Sequence, residues 1–193
     1  AGHALYIDGE SAMAETHMKH PRDELYAGLV PAIEARGLDP FDAELTALKT
    51  AVDSGASGEE VTAAWRAVDG AIEGIERATA TSPRDELLAI AAMLDTAAEE
   101  YAIGVVDGVV DNVHEYQDAW GFTQVALERV GQAVSTTDIE RAATAEAAVA
   151  ISSLEALWPN LEPKVRLETR DERIAEAADR VRSLARGVET GPD

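Results

Sequence analysis

The chain has 193 residues, with 37 acidic and 16 basic side chains, a net charge of −21 and no cysteine. This balance excludes nucleic-acid binding, because such an interface needs a basic footprint to displace counterions. The absence of cysteine excludes a disulfide framework and a thiolate site, and the longest apolar run, residues 87–94, is far shorter than the roughly 20 residues of a membrane-spanning helix.

Apolar residues recur at helical spacing along the chain. We predict a helix up to a break at Pro21, a second helix to Arg36, and further helices at 40–53, 57–79, 83–106, 112–133, 137–158 and 169–186. The β-branched stretch 103–110 is interrupted by two glycines, so no strand is expected. The predicted fold class is all-α: an up-and-down antiparallel bundle of about seven helices.

Polar residues at the predicted helix ends support these boundaries. Ser57 with Glu60, and Asn112 with Glu115, have the spacing of capping boxes. Gly108 suits the left-handed conformation that ends a helix. The expected connections are therefore short, as in an antiparallel bundle.

A five-residue segment that occurs twice bears on the domain organisation. The sequence PRDEL occurs at 21–25 and again at 83–87, each time at a predicted helix start. We expect a helical region at 1–80. If the two PRDEL segments come from a true internal repeat, this region would be the end of a preceding copy. Residues 81–193 are expected to form a helical bundle that carries the Asp-Gly turn and the helix beginning Glu-Tyr.

The basic residues are almost all arginine, since only Lys19, Lys49 and Lys164 are lysines. Together with the dense carboxylate surface, this composition indicates a halophilic protein. A Debye length near 10 Å at about 0.1 M salt falls to about 3 Å at 1 M, so we expect stability to rise with salt.

The first candidate metal site is a stripe on the first helix. Met13, His17 and His20 lie at i, i+4 and i+7, so they share one helical face. Two imidazoles with a thioether favour copper, whereas added carboxylates would favour iron or zinc. The alternative is that Met13 packs in the core and the histidines are exposed.

The second candidate metal site surrounds the turn near residue 108. Its predicted ligands are Glu115 and Asp118. Other carboxylates that could bind a hard cation lie nearby in the sequence, at Glu99, Glu100, Asp107 and Asp111. His114 could add an imidazole nitrogen beside Asp111. The alternative is an ordinary solvated face, because helix N-termini attract acidic residues.

The same region carries a family resemblance. Tyr101 is followed by VVDGVVD at 105–111, by EYQDA at 115–119 and by Phe122. This pattern resembles the extracytoplasmic helical domain that precedes the membrane part of bacterial high-affinity iron permeases. LWP at 157–159 with Glu162 and Pro163 is similar to a helix end found there and in imelysin-like iron-uptake proteins. The chain also resembles haloarchaeal secreted proteins with such domains, some of them joined to blue-copper domains.

The resemblance implies an extracytoplasmic, non-enzymatic binding or accessory domain for iron or copper uptake. Its partner would be a membrane permease or a copper-binding domain of the same protein. The permeases' Arg-Glu motif and the imelysin-like His-x-x-Glu motif are both missing, so no ligand carries over. The chain also lacks a nucleophile elbow, a phosphate loop and a dinucleotide fingerprint. The alternative function is a structural or protein-interaction module without a ligand.

Overall fold

The computed structural model describes residues 1–20, 26–79, 82–164, 166–167 and 172–189. The chain divides into two compact units, Ala1–Ala80 and Thr81–Asp193, and each has its own hydrophobic core. The predicted all-α helical bundle is confirmed. The first copy of PRDEL, at 21–25, lies outside the described residues.

The described part of the first unit contains five helices. A single helix was expected before Pro21, but Gly9, at φ +90°, separates two helices because this left-handed conformation is open mainly to glycine. Ser57 and Glu60 form the predicted capping box. The helices are α1 (Gly2–Ile7), α2 (Ser11–His20), α3 (Ala27–Glu34), α4 (Asp42–Asp53) and α5 (Gly58–Ala78).

The described residues of the second unit form four long helices and a small hairpin. Helix α6 packs against α7 and α9, and α8 packs against the same two helices. The 137–158 helix of the prediction ends at Ser152 and is followed by a short 3-10 helix. The elements are α6 (Pro83–Gly104), β1 (Val105–Val106), β2 (Val109–Val110), α7 (Val113–Gln132), α8 (Asp138–Ser152), the 3-10 helix (Glu155–Leu157) and α9 (Glu172–Glu189).

The hairpin corrects the expectation that no strand forms. Val105 pairs with Val110, and Val106 with Val109. Asp107 and Gly108 have φ of 51° and 74°, as a two-residue type I′ turn requires. The Asp-Gly pair therefore reverses the chain between two valine pairs and positions the start of α7 beside the end of α6.

Small residues and ion pairs hold the second unit together. Alanines on all four helices are buried, which lets the helix axes approach closely. Glu86 of α6 accepts two hydrogen bonds from the Arg129 guanidinium of α7, at 2.8 and 3.0 Å. A bidentate, half-buried pair of this kind fixes helix register more strongly than a single surface contact.

Candidate metal centre

The end of α6 and the start of α7 approach each other at a glycine. A Cβ built on Gly104 would lie 2.5 Å from the Tyr116 backbone nitrogen. The Gly104 carbonyl also accepts hydrogen bonds from the backbone N–H groups of Asp111, at 2.9 Å, and Asn112, at 3.2 Å. This contact brings the last turn of α6 beside the first turn of α7.

The capping box predicted for Asn112 and Glu115 does not form. The Asn112 side chain instead accepts a hydrogen bond from the His114 N–H at 3.1 Å. The Asn112 N–H, which a capping box would direct to Glu115, already donates to the Gly104 carbonyl. The Glu115 carboxyl is therefore released from the cap, and it lies close enough to the Glu100 carboxyl of α6 to raise the pKa of that group.

The contact between Glu100 and Glu115 requires a proton. The pKa of Glu100 is raised from 4.5 to about 7, chiefly by desolvation, then by the neighbouring Glu115 carboxyl, and then by the charges of Asp118 and Glu99. Two adjacent carboxylates cannot both ionise without strong repulsion. Glu100 also lies at the C-terminal end of its helix, where the macrodipole disfavours a negative charge.

An imidazole adjoins this carboxyl pair. His114 Nδ1 lies 3.3 Å from Asp118 Oδ2 and 3.9 Å from Glu115 Oε2. His114 and Asp118 are one helical turn apart on α7, and all three side chains are about one-third exposed. The acid–imidazole cluster, defined as Glu100, His114, Glu115 and Asp118, thus combines carboxylate and nitrogen donors at one corner of the unit.

The cluster has donor types that a first-row divalent metal accepts. Carboxylates alone suit calcium, magnesium and manganese, whereas an added imidazole suits zinc, copper, iron and nickel. In the described residues no three of the cluster's four groups have ligand atoms within 4.8 Å of one another, so a bound ion would have to draw these side chains together. The Asp107 and Asp111 side chains, considered with this turn from the sequence, are exposed at the hairpin.

Buried aromatic side chains lie next to the cluster in sequence. Tyr101 and Tyr116, which follow Glu100 and Glu115, are almost completely buried, and Trp158 contacts both rings. The Tyr116 hydroxyl donates to the Asn160 carbonyl at 3.0 Å, and burial raises the Tyr116 pKa. These rings are core residues, as expected, and they anchor the backbone that carries the two glutamates.

The structure describes only part of the candidate metal site on α2, the stripe of Met13, His17 and His20. Met13 is half-buried and His17 is 8% exposed. The side chain of His20 lies outside the described residues. The proposal that Met13, His17 and His20 bind copper therefore stays a prediction.

Two side chains near the cluster were not predicted to matter. Glu100 was recognised as a nearby carboxylate but not as the partner of Glu115, because the pairing depends on how α6 and α7 meet. Gln117 is 1% exposed, and its amide donates to the Leu161 carbonyl at 3.0 Å. Its position on the apolar stripe, four residues after Val113 and three before Trp120, is the signal that could have identified it.

Comparison with known proteins identifies the second unit. Among the described residues, no helix combines the length and apolar composition of a bilayer crossing. No curated protein and no solved structure is significantly similar to the chain. The sequence model of the iron permease-associated 4-helix bundle domain matches residues 76–190, which span α6 to α9. The match covers more than half of the chain, which therefore belongs to the family of iron permease-associated 4-helix bundle domains.

Proposed function

We propose that the chain is a non-enzymatic, extracytoplasmic accessory domain that binds iron for an associated permease, at the acid–imidazole cluster. The observation that carries this proposal is the proximity of the Glu100 and Glu115 carboxyl groups beside the close approach of α6 and α7 at Gly104. Such a pair holds a proton in place of a cation, because the two carboxylates repel each other when neither is present. A divalent metal would displace that proton and satisfy both groups.

Iron is the metal proposed for the cluster, although nitrogen and oxygen donors alone would bind Cu(II) more tightly than Fe(II). The cluster has three carboxyl groups, one imidazole and no sulfur donor, whereas thioether and thiolate ligands are the ones that select Cu(I). The family association with iron permeases favours the same metal. Copper remains the expected ion for the separate stripe of Met13, His17 and His20.

Calorimetric titration of Fe(II) into the full chain, without oxygen and in about 1 M NaCl to screen diffuse binding, tests the proposal. We expect saturable one-site binding with proton release, which titrations in buffers of different ionisation enthalpy measure. E100Q/E115Q should lose at least about tenfold in affinity, or about 1.4 kcal/mol.

The matched control is E155Q/E176Q, which makes the same two substitutions at exposed glutamates of the same unit. It should bind Fe(II) as the wild type does. Equal loss in both double variants would show diffuse attraction to an acidic surface and overturn the proposal. Loss only in H17A/H20A would move the site to α2, and no saturable binding would leave a structural or interaction module.

A further inference from the structure

The linker between α8 and α9 is tied to the end of the unit that carries the acid–imidazole cluster. We define the linker strap as residues 158–164 and 166–167. Five hydrogen bonds among the described residues join it to the start of α7 or to the hairpin turn. They run from Tyr116 Oη to Asn160 O at 3.0 Å, from Gln117 Nε2 to Leu161 O at 3.0 Å, from Trp158 Nε1 to Tyr116 O at 3.1 Å, from Leu167 N to Gly108 O at 2.7 Å, and from the Arg166 guanidinium to Asp107 O.

The bonds at Tyr116 and Gln117 are buried and directional. Tyr116 is fully buried and Gln117 is 1% exposed. A buried hydroxyl or amide that loses its partner carries a desolvation cost. The strap therefore determines where the first turn of α7 lies, and that turn carries His114 and Glu115.

The middle of the strap has exposed side chains, although its Asn160 and Leu161 carbonyls accept the buried bonds from Tyr116 and Gln117. Trp158 and Leu167 are buried anchors near its ends, whereas Asn160, Glu162 and Lys164 are exposed. Segments with few buried contacts open at lower free energy than the core around them.

We propose that the linker strap is a conformational device coupled to the metal site, in which the docked strap holds α7 in the metal-binding position. This inference rests on the proposed function. Tyr116 and Gln117 act as positioning residues, since they hold the turn that carries the ligands. Because coupling between two sites is reciprocal, metal binding must also favour the docked strap.

Limited proteolysis of the full chain measures the docking. Trypsin cleaves after Lys164 and Arg166, and we expect saturating Fe(II), under the calorimetric conditions, to slow this cleavage at least about fivefold, the lower end of typical couplings. A short peptide substrate checks that Fe(II) does not inhibit trypsin. In Y116F/Q117L, Fe(II) affinity should fall by a similar factor and the protection should disappear.

The matched control is T137A, which removes the capping box at the start of α8 and so destabilises the same unit away from the strap. It should keep both Fe(II) affinity and protection. If Y116F/Q117L does not fold, R166A replaces it. This substitution removes only the exposed bond to the Asp107 carbonyl. The R166A variant should lose part of the protection against cleavage at Lys164.

The outcomes separate this inference from the function on which it rests. Fe(II) binding that leaves the cleavage rate unchanged, or a strap variant with wild-type affinity and protection, would overturn the coupling and leave the proposed function standing. Absence of Fe(II) binding in the wild type would overturn both.

Discussion

Replacing Gly104 by alanine tests the helix contact that creates the cluster. The new Cβ would lie 2.5 Å from the backbone nitrogen of Tyr116, 2.9 Å from its Cα and 3.0 Å from its Cβ. Backbone atoms cannot rotate away as the end of a flexible side chain does, so α6 and α7 must separate. Overpacking of this kind costs about 1–3 kcal/mol.

Thermal unfolding followed by circular dichroism measures the effect. A destabilisation of 1 kcal/mol lowers the melting temperature of a domain of this size by roughly 3–6 °C, so G104A should melt several degrees below the wild type. Fe(II) affinity should fall as well, because the displacement moves Glu115 relative to Glu100.

The control is G131A, the same substitution at a helical glycine of α7. A Cβ at Gly131 would meet nothing within 4 Å, so alanine should stabilise the helix by about 0.5–1 kcal/mol. The two variants should thus move in opposite directions. A G104A protein as stable as G131A would refute the close approach of the helices, and with it the geometry of the cluster.

Three further predictions concern pH, the hairpin turn and salt. The folded chain holds a proton on Glu100 up to about pH 7, whereas an ordinary glutamate releases it near 4.5. Stability should therefore fall as pH rises between these values, by at most about 3 kcal/mol and by roughly 1 after solvent screening. E100Q should flatten this part of the pH profile in denaturant titrations, and an unchanged slope would contradict the shared proton. G108A should lower the melting temperature, because Gly108 has φ +74° and a Cβ there would lie 2.6 Å from the Leu167 carbonyl oxygen; a neutral result would show that the turn adapts. The melting temperature should rise between about 0.1 and 1 M NaCl as the Debye length shortens, and a fall with salt would argue against the halophilic interpretation.

The sequence by itself determined the helical architecture. Apolar spacing located the long helices α5, α6 and α7 to within a few residues, because a helix buries one stripe of side chains whatever it packs against. The capping box predicted from the spacing of Ser57 and Glu60 is present, because both of its hydrogen bonds join residues that are close in sequence. The resemblance at 97–130 likewise indicated the iron-permease association that the family match confirms.

The Asp-Gly pair between valines was a local signal for the hairpin that the prediction missed, whereas only the tertiary structure decided the partner of Glu115. Asn112 and Glu115 have the spacing of a capping box, but the Asn112 N–H donates to the Gly104 carbonyl of the neighbouring helix instead. The residues around Asn112 in the sequence give no sign of that acceptor. The same long-range contact pairs Glu115 with Glu100. Gln117 and Trp158 find their partners more than 40 residues away. Local propensity therefore specified the helices, whereas helix packing specified which side chains meet at the cluster.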